Sequence, residues 1–222
     1  MWVCCVGVVE TAVARHLRRI VVGLRKIDAK MWGSPRAILT SQSRCETPVY
    51  VGRSRIVAAM MGSIMTEKVK KVLAIASAGG HWVQLRRLRP AWDECEVVYV
   101  ATNEGYRAEV MGDRARHPRS FHAVPDANRH NKIKLIRQFF SVAKLVLKTR
   151  PDVIVSTGAS SGFFALVLGR LIGAKTIWVD SIANAGELSA SGRMVGRHAS
   201  LWLTQWSHIA EKGGPRCEGS VI

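Results

Sequence analysis

The chain has 222 residues, of which 48% are hydrophobic, and a formal net charge of +17 at neutral pH. This length allows one large domain or two small ones, and the hydrophobic content excludes a disordered protein. The positive charge favours polyanionic partners (anionic lipid headgroups, diphosphate-bearing substrates or nucleic acid) without choosing among them.

The cysteine pattern and the lengths of the apolar runs exclude two further classes. The five cysteines form no C-x-x-C pair and no Cys/His set with zinc-finger spacing, so we expect no metal site. Their odd number and scattered positions favour free thiols in a reducing compartment. No run reaches the roughly 18 apolar residues that span a bilayer, so we expect that the chain does not cross a membrane.

Residues 1–65 lack the pattern of the remainder. Arginines interrupt their apolar runs, and Gly33-Ser34-Pro35 and Thr47-Pro48 break the periodicity. We therefore predict a poorly structured extension over 1–65, with no packed core before about residue 60. The run from Met65, MTEKVKKVLAIAS, reads as an ordinary N-terminus leading into a strand. A mis-called start is therefore our hypothesis for the upstream segment, with an arginine-rich transit peptide as the alternative.

Residues 66–222 alternate apolar strands with helices, which predicts one Rossmann-like domain. The predicted strands cover 69–76, 96–101, 121–124, 152–156, 176–180 and 201–204. The predicted helices cover 82–88, 132–148 and 162–172. This alternation is typical of an α/β fold with a doubly wound parallel sheet, in which ligands bind at the carboxyl ends of the strands.

The first predicted strand ends in a small-residue turn, Ser77-Ala78-Gly79-Gly80, before His81 and a helix. Such a turn holds phosphate groups, because glycines let the backbone approach and the first helical amides point at the anion. Ser77, Gly79 and Gly80 are therefore candidate phosphate contacts. His81 is a candidate general base or anion donor, and a purely local hydrogen bond at the helix start is the alternative.

A second small-residue turn follows the strand at 152–156. We take Gly158, Ser160, Ser161 and Gly162 as candidate contacts for a phosphate or a sugar hydroxyl. Neither turn has the G-x-G-x-x-G or P-loop spacing, so a classical dinucleotide or P-loop site is not supported. A tight strand–helix junction is the alternative explanation for the glycines.

Two polar residues follow the strand at 176–180. Asp180 stands at its carboxyl end and Asn184 lies in the loop beyond it, which makes both candidate polar contacts to a sugar. A helix cap or a loop contact explains either residue equally well.

The predicted helix at 132–148 carries a basic stripe. Its members follow one another at intervals of three or four residues: Lys134, Arg137, Ser141, Lys144 and Lys148. Opposite them we place an apolar face: Ile133, Ile136, Phe139, Phe140, Ala143 and Val146. A solvated face of an ordinary surface helix is one interpretation. Docking on an anionic membrane is the other, with Arg86, Arg87 and Arg89 as a second basic cluster.

Three runs resemble one known family: SAGGHWVQL, PDVIVSTGASSGFFALVLGRLIGAKTIWVDSIA and SASGRMVGRHASLWLTQW. The family is the membrane-associated, acceptor-binding subunit of split GT-B glycosyltransferases. It includes the N-acetylglucosaminyltransferase subunit of asparagine-linked glycosylation and bacterial relatives in exopolysaccharide and capsule synthesis. The resemblance covers roughly residues 69–222.

The resemblance implies the acceptor-side half of a GT-B enzyme. A partner subunit would hold the UDP-sugar donor, and this chain would need no cofactor. Its acceptor would be a sugar on a polyprenyl diphosphate, bound near the turn at 77–81 and the turn at 158–162. Eukaryotic members begin with a transmembrane helix that this sequence lacks, so we expect attachment that is peripheral, at the cytoplasmic face, or that is made through the partner.

Two other functions stay open at this point. One is a stand-alone small glycosyltransferase or sugar-nucleotide enzyme, which activity of the purified chain would favour. The other is nucleic-acid binding, which only the charge suggests. Because interleaved aromatics, zinc spacing and RNA-binding signatures are missing, we expect no nucleic-acid partner.

Overall fold

The computed structural model describes residues 12–22, 69–128, 130–211 and 213–221. Among them, seven strands form one sheet: β1 (Lys71–Ala76), β2 (Glu96–Ala101), β3 (Arg119–Ala123), β4 (Val153–Ser156), β5 (Lys175–Val179), β6 (Leu201–Thr204) and β7 (Arg216–Cys217). All neighbouring strands are parallel, in the order β3-β2-β1-β4-β5-β6-β7. The doubly wound α/β fold is therefore confirmed.

The described helices cover both faces of this sheet. They are α1 (Ala12–Val22), α2 (Gly80–Arg87), α3 (Arg107–Met111), α4 (Lys132–Thr149), α5 (Ala159–Leu171) and α6 (Ala190–Val195). Residues of α1 and α2 contribute to the core on one face, and residues of α4 and α5 contribute to the core on the other. Strands covered on both faces must be apolar throughout, and β1 and β2 are buried at every position after the first.

Helix α1 differs from the expectation that no packed structure precedes residue 60. Val13, Leu17 and Val21 recur every four residues along it and are buried in the core. Arg15 and Arg19, two of the arginines that interrupt its apolar pattern, are exposed. The arginines interrupt the apolar residues along the sequence, but at helical spacing the two kinds of residue lie on different faces, so the helix is amphipathic. The rest of 1–65 lies outside the described residues, so the boundary at residue 65 stays a prediction.

The predicted elements of the main domain are present, with modest differences in bounds. Strands β2 and β6 have the predicted ends, and α5 begins three residues before its predicted start. Helices α3 and α6 and strand β7 were not predicted, because segments of two to six residues are too short to display a period. None of the described helices is long and apolar enough to cross a bilayer.

Helix α4 buries a different face from the predicted one. Gln138, Val142, Leu145 and Val146 form its buried face. By contrast, the exposed fraction is 72% for Ile133, 56% for Ile136 and 65% for Phe140. The predicted orientation of the apolar side chains is therefore wrong for those three residues. They lie in solvent beside the basic stripe and not opposite it.

The second basic cluster is also different from the prediction. Arg86 donates hydrogen bonds to Glu109 and Asp113, and Arg89 donates to Asp113 at 2.8 Å. Burial lowers the pKa of Arg86, but the hydrogen bond to Asp113 and nearby negative charges outweigh it and leave the pKa raised. These two arginines are therefore paired with acidic side chains of α3 and the loop after it, whereas Arg87 is exposed.

Candidate functional site

The candidate site lies at the carboxyl edge of the sheet, between β1 and β4. These strands are neighbours, and the strand order reverses there: β2 and β3 lie on one side, β5 to β7 on the other. Chains leaving β1 and β4 enter α2 and α5 on opposite faces, which is the arrangement that forms a crevice in open α/β sheets. Open α/β sheets bind ligands at such a switch point.

A reciprocal pair of hydrogen bonds joins the two turns. The distance from His81 Nδ1 to the carbonyl oxygen of Thr157 is 2.9 Å, and Thr157 Oγ1 donates to the carbonyl oxygen of His81 at 2.7 Å. A carbonyl oxygen can only accept, so Nδ1 is the nitrogen that carries the proton. In the neutral ring Nε2 then keeps the lone pair, which makes it the nitrogen that can accept a proton.

Gly158 lies directly beneath this imidazole. A Cβ at Gly158 would come within 2.4 Å of both Nδ1 and Cε1 of His81, and the residue has a φ of +145°. Both the backbone conformation and the close contact require glycine. The turn at 158–162 thus leaves the space into which the side chain of His81, from the turn at 77–81, packs.

The first turn is held by the loop after β2. The amide of Ala78 donates to Thr102 Oγ1 at 2.9 Å, and the amide of Gly79 donates to the hydroxyl of Tyr106 at 3.0 Å. Tyr106 in turn stacks on Trp82 with ring centroids 4.7 Å apart. Two amides of the turn are therefore used internally.

The part of the first turn suited to an anion is accordingly the start of α2. The first amides of a helix have no intrahelical acceptor and point out of its N-terminus. Gly79, with a φ of +80°, precedes that helix, and both Gly79 and Gly80 are exposed. A Cβ at Gly80 would have no heavy atom within 4 Å. Ser77, at the end of β1, is half-buried.

The serines and the last glycine of the second turn have separate environments. Ser160 Oγ donates to Gln138 Oε1 at 2.7 Å, which ties the start of α5 to α4. The Ser161 hydroxyl is fully buried and has no hydrogen-bond partner among the described residues. A Cβ at Gly162 would come within 1.9 Å of Ser156 Oγ. The structure thus explains Gly162 by close packing of α5 on β4.

We expect Gly162→Ala to destabilise the domain by about 1–3 kcal/mol, since the added methyl group must displace Ser156 in a packed core. The Ser156 hydroxyl also holds the second turn, because it accepts from the amide of Gly158 at 3.2 Å. Thermal unfolding of the variant checks this, with Gly80→Ala as the control that has open space. Equal melting temperatures for the two variants would contradict the packing explanation.

Asp180 holds its own loop. Its carboxylate accepts from Trp178 Nε1 at 3.1 Å, from Asn184 Nδ2 at 3.2 Å and from the Ser189 hydroxyl at 2.6 Å. The side chain is 1% exposed. These contacts account for Asp180 and Asn184 without a ligand and bring the loop back over the end of β5.

A buried pair of glutamines, which was not predicted from the sequence, positions α2. Gln84 Oε1 accepts from Gln205 Nε2 at 3.0 Å, and Gln205 Nε2 also donates to the carbonyl oxygen of Asp180 at 2.9 Å. The pair links α2 to the ends of β5 and β6. The sequence signal that could have indicated this pair is Gln84, a polar residue on an apolar helix face close to a histidine.

The three basic residues assigned to a membrane are exposed on α4: Lys134, Arg137 and Lys144. They lie apart from the two turns, although the contact between Gln138 and Ser160 joins α4 to the second turn. Among the described residues, no group of three His, Cys, Asp or Glu side chains is placed to hold a metal ion.

The chain is similar to known proteins in sequence and in fold. No protein-family model matches it. Over 169 residues, 64% of this chain and 75% of the relative, it is 24% identical to the UDP-N-acetylglucosamine transferase subunit ALG14 of Eremothecium gossypii. It is 38% identical to the subunit of the same name from Yarrowia lipolytica over 86 residues, 36% of this chain and 39% of that protein.

A solved structure with a similar fold belongs to a protein longer than this chain. A crystal structure of MurG from Acinetobacter baumannii matches with a TM-score of 0.50 and 16% identity, over 66% of this chain and 44% of MurG. The chain thus spans less than half of MurG and of the Yarrowia relative. At this identity the likeness to MurG shows the fold alone.

Proposed function

The chain is related in sequence to UDP-N-acetylglucosamine transferase subunits, and we propose that it is the acceptor-binding and membrane-docking subunit of a two-component glycosyltransferase. Its relatives are named as subunits, and it matches less than half of the MurG chain. A separate subunit supplies the other half and holds the UDP-sugar, so this chain needs no cofactor of its own. The names of the relatives favour UDP-N-acetylglucosamine as the donor.

The observation that carries this proposal is the interlock of His81 with Thr157 and Gly158 at the switch point. The diphosphate of a polyprenyl-linked acceptor binds at the start of α2, where helical amides favour negative charge. The acceptor hydroxyl lies against Nε2 of His81, which takes its proton as the oxygen attacks the anomeric carbon of the donor. The bond from that carbon to the β-phosphate oxygen breaks in the same step, and UDP leaves on the donor-binding subunit. Alignment of hydroxyl and anomeric carbon in the closed cleft supplies much of the acceleration.

Helix α4 is the docking element in this proposal. Its exposed apolar residues Ile133, Ile136, Phe140 and Leu147 recur at helical spacing beside the basic stripe. Neighbouring apolar and basic stripes let a helix lie in the headgroup region, with the apolar side chains inserted and the cations on the phosphates. The chain is thus peripheral, and it faces the cytoplasm, where UDP-sugars and anionic leaflets meet.

Replacing Lys134, Arg137 and Lys144 by Glu is expected to release the protein from anionic vesicles. Each basic residue near the headgroups contributes about 1 kcal/mol, so losing three weakens binding by about 10²-fold. Thermal stability changes little, since the three side chains are exposed. Vesicle co-sedimentation at physiological salt measures the effect.

A charge-matched control separates docking from net charge. Arg170, Lys175 and Arg197 are exposed on other elements, and their replacement by Glu changes the total charge by the same amount. We expect this control to retain most of the vesicle binding. Equal losses in the two triple variants, or no loss in either, would contradict the docking role of α4.

Transfer assays test the two-component proposal. The purified chain, given UDP-N-acetylglucosamine and a polyprenyl-diphosphate acceptor, is expected to show no transfer alone. It is expected to show transfer once a donor-binding subunit is added. Full activity of the chain alone would favour a stand-alone enzyme instead.

A further inference from the structure

A small cavity with a mixed apolar and polar lining lies between α4 and the edge strand β3. Its volume is about 180 Å³, and it is lined by His122, Ala123, Val124, Ser141, Lys144, Leu145 and Lys148. Val124 and Leu145 are buried and form its apolar part. The lining residues include an imidazole, a hydroxyl and two ammonium groups, which are hydrogen-bond donors that can bind a phosphate group.

The electrostatic environment of this cavity is positive. Lys144 and Lys148 are exposed on α4, and none of the ion pairs between described residues includes them. Burial, followed by the charges of Lys148 and Arg107, lowers the pKa of His122, while Glu104 acts weakly in the opposite sense. A ring held neutral beside two cations can donate to an anion without adding to their mutual repulsion.

The cavity also adjoins the apolar stripe of α4. Phe140 precedes Lys144 by four residues and Leu147 follows it by three, so both flank this lysine on the helix surface. Their exposed fractions are 65% and 58%. When these side chains enter the acyl boundary, we expect the cavity to lie near the depth of the lipid phosphates.

We propose that this cavity binds the terminal phosphate of an anionic lipid headgroup, in the class of phosphomonoester lipids. The inference rests on the proposed docking role of α4 and adds lipid selectivity to it. The cavity has room for about six waters, enough for a phosphate with part of its hydration. A terminal phosphate can enter with three free oxygens and a charge of about −1.5 to −2. The phosphate of a diester lipid is esterified to an organic group on both sides, so it cannot enter the cavity end-on in this way.

Binding to two kinds of vesicle tests this selectivity. One contains phosphatidylcholine with phosphatidic acid, and the other contains phosphatidylcholine with enough phosphatidylglycerol to give the same surface charge. We expect the protein to bind the phosphatidic acid vesicles at least about five-fold more tightly. Equal binding to both would overturn the selectivity and leave membrane docking standing, whereas binding to neither would overturn docking as well.

Matched variants locate the selectivity. Lys148→Gln and Lys134→Gln each remove one charge from an exposed position of α4, but only Lys148 lines the cavity. We expect Lys148→Gln and His122→Ala to bring the ratio between the two vesicles close to one. Lys134→Gln should weaken both interactions and keep the ratio. A ratio that falls equally in both lysine variants would contradict the cavity as its source.

A soluble phosphomonoester distinguishes a lipid from a free ligand. Glycerol 3-phosphate presents the same terminal group without acyl chains. In titration calorimetry we expect it to bind far more weakly than phosphatidic acid in vesicles, because it lacks the contacts of Phe140 and Leu147. Equally tight binding of glycerol 3-phosphate would assign the cavity to a soluble phosphate and overturn the lipid assignment.

Discussion

Replacing His81 by alanine is expected to lower reconstituted transfer by about 10²-fold or more, while the melting temperature stays close to that of the unchanged protein. A positioned general base or anion donor typically contributes this factor. The imidazole is half-buried at the edge of the sheet, so its removal leaves no large core cavity. What it does remove is Nε2 and the hydrogen bond from Nδ1 to Thr157. Transfer kinetics with the donor-binding subunit, together with thermal unfolding, measure the two effects.

An asparagine variant separates the roles of the two nitrogens of His81. The amide of Asn can replace Nδ1 and still donate to the carbonyl oxygen of Thr157, but it has no basic nitrogen. We therefore expect His81→Asn to retain the stability of the turn and to be as inactive as His81→Ala. Nearly full transfer by His81→Asn would show that the residue only holds the two turns together.

The second large effect is expected at Gly158. Alanine there must adopt a φ of +145° and would bring its methyl group within 2.4 Å of the His81 ring. The imidazole must move away from residue 158, so we expect a loss of transfer comparable with that of His81→Ala. We also expect the free energy of unfolding to fall by about 1–3 kcal/mol. Activity measured well below the melting temperature separates the two contributions.

Two comparisons make the Gly158 result specific. Gly186→Ala adds a methyl group at an exposed loop position outside the two turns, where no heavy atom lies within 4 Å, so it should retain most of the transfer activity. In the double variant His81→Ala with Gly158→Ala, the clash is absent, and the two losses should be strongly non-additive. Independent, multiplying losses would contradict a direct contact between these residues.

The sheet and the place of its site were predictable because their signals are local. Strands such as β2 are continuous apolar runs, and a glycine turn after a strand marks the carboxyl edge. The contact of His81 with Thr157 was not predictable, because it joins residues 76 positions apart in the sequence. The part played by Gly158 follows from that contact alone.

The face that α4 buries could not be predicted from its composition. Ile133, Ile136 and Phe140 are apolar, and hydrophobicity alone assigns them to the core. The buried side chains are instead those that pack against the sheet and α5. They include Gln138, which is 1% exposed and whose side-chain amide donates to the carbonyl oxygen of Pro125. Apolar side chains left in solvent beside cations are therefore the part of the candidate docking surface that only the structure reveals.

The glycines and acids of the site illustrate the same limit. Gly158 and Gly162 look equivalent in sequence, yet one seats an imidazole and the other admits the Ser156 side chain. Asp180 follows a strand at a position suited to a ligand, but its carboxylate is occupied by the loop at 184–189. Which polar groups are already satisfied is a property of the folded chain and not of the pattern.

Hydrogen exchange with a short-chain polyprenyl-diphosphate acceptor tests the central claim most directly. We expect the acceptor to slow amide exchange in peptides covering 77–83 and 157–162, because the diphosphate caps the start of α2 and the acceptor sugar covers the His81 ring. UDP-N-acetylglucosamine added to the chain alone should leave the same peptides unchanged. Protection of these peptides by the nucleotide sugar and not by the acceptor would contradict the assignment of this crevice to the acceptor.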